Sequence, residues 1–63
     1  MKKEDCEIGN TAQLISSGPA MTIASTCWEN CGKHLVKCVW FDKHAILQES
    51  NIDIQLLNII SRR

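Results

Sequence analysis

Alternation between apolar and polar positions organises this chain. Ala12 and Leu14, then Met21 and Ile23, then Val36, Cys38 and Trp40 recur at every second position, which places each set on one face of a strand. Residues 11–15 therefore read as a first strand, Ser16-Ser17-Gly18-Pro19 as a turn, and residues 20–25, with β-branched Thr22 and Ile23, as a second strand. Pro19 fixes its own φ and biases Gly18 away from helix, so the chain enters that second strand extended. Residues 36–41 predict a third strand, Asp42-Lys43-His44 a turn and residues 45–50 a fourth strand. Asn51 then offers a cap for a single helical turn ending near Leu56, and residues 57–60 form a last short strand. A competing reading makes residues 52–60 an amphipathic helix, because Ile52, Leu56 and Ile59 or Ile60 also fit a helical spacing. Residues 26–35, polar around one large aromatic, read as a long, mobile hairpin loop.

The expected fold is an all-β, five-stranded, partly open barrel with a single helical turn before the last strand. Its core would be Ala12, Leu14, Met21, Ile23, Val36, Cys38, Trp40, Ile52 and Leu57. Residues 1–7 are expected to be a flexible segment, 8–60 the domain and 61–63 a basic tip. At 63 residues there is room for one domain, and a chain this short buries only about 60% of the surface its unfolded form exposes. Seven basic residues balance seven acidic ones, so no global field draws in nucleic acid. The start of the chain lacks the apolar stretch of a secretory signal, and no run approaches the roughly 18 apolar residues of a membrane span. These features make the cytosol the expected compartment, with no membrane partner, and there four cysteines favour thiols or a metal site over disulfides.

Gly9, Leu14, Ser17-Gly18-Pro19, Met21-Thr22-Ile23, Cys38 and Trp40-Phe41-Asp42 together resemble the YodC-like family of small bacterial proteins. The resemblance covers residues 8–42 well and 43–60 loosely. It implies an SH3-like barrel and carries no established activity. This chain departs from the pattern at Ser17, where a second glycine is usual, and in the cysteine-rich stretch 26–35.

Cys6, Cys27, Cys31 and His34 could supply a tetrahedral Cys₃His zinc site. Against it, Cys27 and Cys31 are spaced Cys-x₃-Cys with no second tight pair, so free thiols are expected and no cofactor is assigned. A disulfide between Cys27 and Cys31 is the other alternative. Cys38 shares a face with Val36 and Trp40 and reads as a small buried hydrophobe. Trp40 and Phe41 must face opposite sides of the sheet. With Trp40 in the core, Phe41 and Val39 fall on the outer face with Lys37, and Trp28 reaches this patch from the loop or folds over Phe41. Exposed apolar patches of this kind mark partner surfaces, so Trp28, Lys37, Val39 and Phe41 are the candidate partner-binding residues.

Paired carboxylates, a phosphate-binding glycine loop and a nucleophile beside a base are all missing from the sequence, which argues against an enzyme. The expected function is a non-enzymatic interaction module or adaptor for another protein or a peptide in a bacterial cytosol, of a size that phages and mobile elements carry. Two alternatives stand beside it. Lys33, Lys37, Lys43, Arg62 and Arg63 with Trp28 and Phe41 could bind single-stranded nucleic acid, although Glu29, Asp42, Glu49 and Asp53 interrupt them. The stretch from Cys27 to His34 could also act as a zinc- or redox-responsive switch.

Overall fold

The computed structural model describes residues 6–62. Six strands, β1 (Thr11–Leu14), β2 (Met21–Ile23), β3 (Trp28–Asn30), β4 (Lys33–Phe41), β5 (Leu47–Asp53) and β6 (Leu57–Ser61), form one sheet, with a 3₁₀ turn at Ile54–Leu56 before β6. Every pairing is antiparallel. β4 is the spine. One of its edges receives β3 opposite Lys33, His34 and Leu35 and then β2 opposite Cys38 and Val39, while its other edge carries β5 from Leu35 to Phe41. β1 lies between β2 and β6. The sheet curls around a core without closing into a barrel.

The inner face holds Ala12, Met21, Ile23, Val36, Cys38 and Leu57, all buried, with Leu14, Trp40 and Ile52 packed against them half-buried. Cys6 and Ile54 complete this core, though neither is among the core residues expected from the sequence. Asn10 is the buried polar residue among the described ones, and its backbone is engaged: its N–H donates to the Glu7 carbonyl and its carbonyl accepts from the Ile23 N–H. Burying the Asn10 backbone without these partners would carry a desolvation cost.

Four expectations need correction. The described residues form six strands, because the stretch expected as a long, mobile hairpin loop is itself paired, Trp28, Glu29 and Asn30 lying opposite Leu35, His34 and Lys33. Its connection is only Cys31-Gly32, both with positive φ (54° and 78°), the backbone of a two-residue primed turn whose twist matches the strands. The fourth strand of the sequence reading starts at Leu47 rather than Ala45, because Asp42 holds the chain in a loop until Ile46. The 3₁₀ turn is capped by Asp53, whose carboxylate accepts from the Gln55 N–H at 2.9 Å, and not by Asn51. The competing helix over 52–60 does not form, since its apolar residues are divided between the end of β5, the 3₁₀ turn and β6.

Candidate functional site

Alternation along β4 puts Leu35, Lys37, Val39 and Phe41 on the outer face, back to back with Val36, Cys38 and Trp40. The cross-strand register extends that face in both directions. Trp28 lies opposite Leu35, Thr22 opposite Val39, and Leu47, Glu49, Asn51 and Asp53 opposite Phe41, Val39, Lys37 and Leu35. The four candidate partner-binding residues therefore share one surface. They do not form one spot. Trp28 is six residues of strand from Phe41 through its partner Leu35, about 20 Å at the rise of a β-strand, so it neither covers nor extends the Phe41 patch.

The apolar end of this surface is the β4–β5 hairpin, where Phe41 is 68% exposed, Leu47 57% and Ile46 57%. Asp42 fixes that hairpin. Its carboxylate Oδ1 accepts from the His44 and Ile46 N–H groups at 2.8 and 3.0 Å, and Oδ2 accepts from the Gln48 side-chain amide at 2.9 Å. Backbone bonds from Asp42 N to the Ile46 carbonyl and from Ala45 N to the Asp42 carbonyl close the loop. The Ile46 hydrogen bond, helped by those from Gln48 and His44, holds the Asp42 carboxyl below the ordinary carboxylate range. Ile46 and Leu47 were missed in the sequence as surface residues. Their signal was two adjacent apolar positions directly after a turn, where alternation predicts one in and one out.

The candidate zinc residues are spread over the molecule. Cys6 is buried in the core, Cys27 is half-buried against it, and Cys31 is exposed at the tip of the β3–β4 hairpin. Three extended residues, about 10 Å of strand, separate Cys27 from that tip, too far for a disulfide with Cys31. His34 lies on the inward parity of β4, and its Nδ1 is buried without a hydrogen-bond partner among the described residues. No three His, Cys, Asp or Glu side chains among the described residues gather closely enough to hold a metal ion. All four cysteines are thiols rather than halves of a disulfide. Burial pushes the Cys38 thiol up, which opposes the thiolate that nucleophilic chemistry needs.

Three of the basic residues are spaced along β4 and its two hairpins. Lys33 flanks one hairpin turn, Lys37 sits mid-face on β4 and Lys43 lies in the other hairpin, with Glu49 and Asp53 across from Val39 and Leu35. Arg63 lies outside the described residues, as do the first five positions of the segment read as flexible. No pocket opens among the described residues, and none of their helices is long and apolar enough to cross a membrane.

The fold and this surface define a small all-β protein with an open antiparallel sheet. Residues 7–54 match the model of a family described as an uncharacterized small protein family, DUF2158, and the chain belongs to that family. The matched span runs from before β1 into the 3₁₀ turn, so β6, which supplies buried Leu57, lies beyond it. No curated protein and no solved structure matches the chain significantly.

Proposed function

We propose that this protein is a non-enzymatic interaction module that binds another protein or a peptide through the outer face of β4 and β5. The observation that carries the reading is the β4–β5 hairpin tip, where Phe41, Ile46 and Leu47 stand exposed together on a loop that Asp42 holds in one shape. Apolar side chains displayed on a fixed backbone lose little freedom on binding, which favours recognition. Clustered exposure of this kind is characteristic of interaction sites. The YodC-like naming is compatible with the family match and belongs to the same reading, as do the SH3-like description of the sheet and a bacterial cytosolic setting.

The test is capture from a lysate of the native host on immobilised protein, with Phe41→Ser/Leu47→Ser and Trp28→Ser variants compared under identical conditions. The double variant should lose the captured partner while keeping the wild-type melting temperature, because aromatic and aliphatic anchors dominate small interfaces. Trp28→Ser should retain it. Equal capture by wild type and the double variant would overturn the hairpin tip as the contact surface. Salt-sensitive binding of single-stranded oligonucleotides instead would support the nucleic-acid alternative.

A further inference from the structure

The β4–β5 ladder fixes which backbone groups of β5 face away from the sheet. Asp42 N donates to the Ile46 carbonyl, and Ala24 N donates to the Lys37 carbonyl at 2.8 Å on the opposite edge of β4. Hydrogen-bonded and non-hydrogen-bonded pairs alternate along an antiparallel ladder. From Asp42–Ile46 as a hydrogen-bonded pair, Phe41–Leu47, Val39–Glu49, Lys37–Asn51 and Leu35–Asp53 are the non-hydrogen-bonded ones. The Lys37 bond to β2 agrees, since it shows the Lys37 backbone turned away from β5. The N–H and C=O groups of Leu47, Glu49, Asn51 and Asp53 therefore point outward from the free side of β5. No described strand pairs there.

A seven-residue strand with an open row of donors and acceptors, and no proline or lysine to block it, is a template for another strand. The side chains beside those groups select what can join. Leu47 is apolar and adjoins Phe41, whereas Glu49 and Asp53 put two carboxylates on the outer face four residues apart, with only Asn51 between them on that face. A second copy of this chain is a poor occupant. The three antiparallel registers that keep most of β5 paired with itself bring Glu49 against Glu49, Leu47 against Asp53, or Glu49 against Asp53; the first and last set like charges directly opposite, which is destabilising, and the second sets an apolar side chain against a carboxylate.

We propose that β5 is the docking edge of the interaction module, and that its occupant is an extended segment of a partner protein that adds as a strand. That segment carries basic side chains opposite Glu49 and Asp53 and an apolar one opposite Leu47. Main-chain hydrogen bonds supply the affinity and alternate side chains the specificity, as in strand addition to other sheet edges. This rests on the interaction reading above and names its partner.

A capped peptide, Arg-Val-Thr-Ser-Arg-Thr-Leu, places its arginines opposite Asp53 and Glu49 and its leucine opposite Leu47 in antiparallel register. Titrated into labelled protein and followed by amide NMR, it should slow hydrogen exchange at Glu49, Asn51 and Asp53 and leave Gln48, Ser50 and Ile52 as they were. Replacing both arginines by glutamate should weaken binding by about tenfold or more, and N-methylating the peptide nitrogens that face β5 should do the same. Asn51→Pro removes one outward donor without touching the β4 ladder, a position where edge strands accept proline, and should weaken binding by about tenfold. No binding, equal binding of the glutamate or N-methylated peptide, or protection centred on β3 or β6 would each overturn the proposal. So would protection of the same amides in the protein alone at high concentration, which would make the occupant a second copy. If the host partner is lost in Phe41→Ser/Leu47→Ser yet retained in a folded Asn51→Pro protein, the edge is wrong and the interaction reading stands. If neither variant loses it, that reading falls as well.

Discussion

Cys31 should be the wrong residue for its own position, and replacing it should stabilise the protein. It is the first of two loop residues between paired Asn30 and Lys33, with φ at 54°, and Gly32 follows at 78°. Such a turn needs positive φ at both positions, for which Asn-Gly is the preferred pair. A residue with a Cβ pays about 1–2 kcal/mol in the left-handed region. Glycine escapes that cost but loses about 0.5–1 kcal/mol through its freer unfolded state, and asparagine reaches a similar balance through its tolerance of the left-handed well. The Cys31 side chain is exposed, so no core packing is given up.

The net gain from Cys31→Asn or Cys31→Gly is then about 0.5–1 kcal/mol. At about 4–8 °C per kcal/mol for a domain of this size, the midpoint should rise by roughly 2–8 °C. Thermal melts by circular dichroism under reducing conditions read this directly. Cys31→Val should move the midpoint the other way, because β-branched residues resist positive φ most. A fall in midpoint for both Asn and Gly would refute the turn assignment. If that fall came with loss of bound zinc from the wild-type protein, Cys31 would be a metal ligand instead.

Gly18→Ala should lower the denaturant midpoint by the equivalent of about 1–3 kcal/mol. Gly18 has φ of 131°, while an added Cβ would meet only Leu14 Cδ1 at 3.9 Å, so the cost is backbone strain rather than a clash. Ile23→Ala should cost about 2–5 kcal/mol, because the side chain is fully buried. Trp40→Ala should cost only about half the roughly 3–5 kcal/mol of a buried tryptophan, because Trp40 is half-buried; urea titrations that reverse this order would place the core wrongly. The folded-state pKa of Asp42 lies below its unfolded value, so its contribution is complete above about pH 4 and is lost as the pH falls through the lower folded value. Melting of wild type and Asp42→Asn should therefore converge in acid and diverge at neutral pH, and a constant gap across that range would rule out the carboxylate as the loop's organiser.

Where alternation was unbroken, the fold was legible. Val36, Cys38 and Trp40 alternate without interruption, and β4 carries them inward as the pattern requires. Met21 and Ile23 behave likewise on β2. Two kinds of position escaped. Cys6 and Ile54 are buried by their place in the chain's path: Cys6 lies before β1, and Ile54 lies in the 3₁₀ turn, where the alternation of Ile52, Ile54 and Leu56 does not decide burial, Ile54 being buried and Leu56 exposed. The β3–β4 hairpin escaped because its turn has cysteine where asparagine, aspartate or glycine would announce it. Lacking that signal, Trp28 could not be placed on a strand, and the expected contact between Trp28 and Phe41 followed from the error.

The outer face shows why a surface is harder to read than a core. The parity of Lys37, Val39 and Phe41 was available from the sequence, because alternation fixes it whatever lies across the strand. Their neighbours were not, since these depend on register, and register depends on where each hairpin closes. Asp42 closes the β4–β5 hairpin with three side-chain hydrogen bonds and delays β5 until Leu47. Starting that strand at Ala45 under the same odd-numbered parity would still face Leu47 and Glu49 outward, but it would end the strand at Ser50 and leave Asn51 and Asp53 in a helical turn. The acidic edge from Glu49 to Asp53 thus exists only because an aspartate eleven residues before Asp53 sets the loop. Disturbing Asp42 should accordingly weaken peptide binding at β5 along with the hairpin itself. A variant that melts earlier yet binds the arginine peptide with unchanged affinity would separate the edge from the loop that this reasoning makes responsible for it.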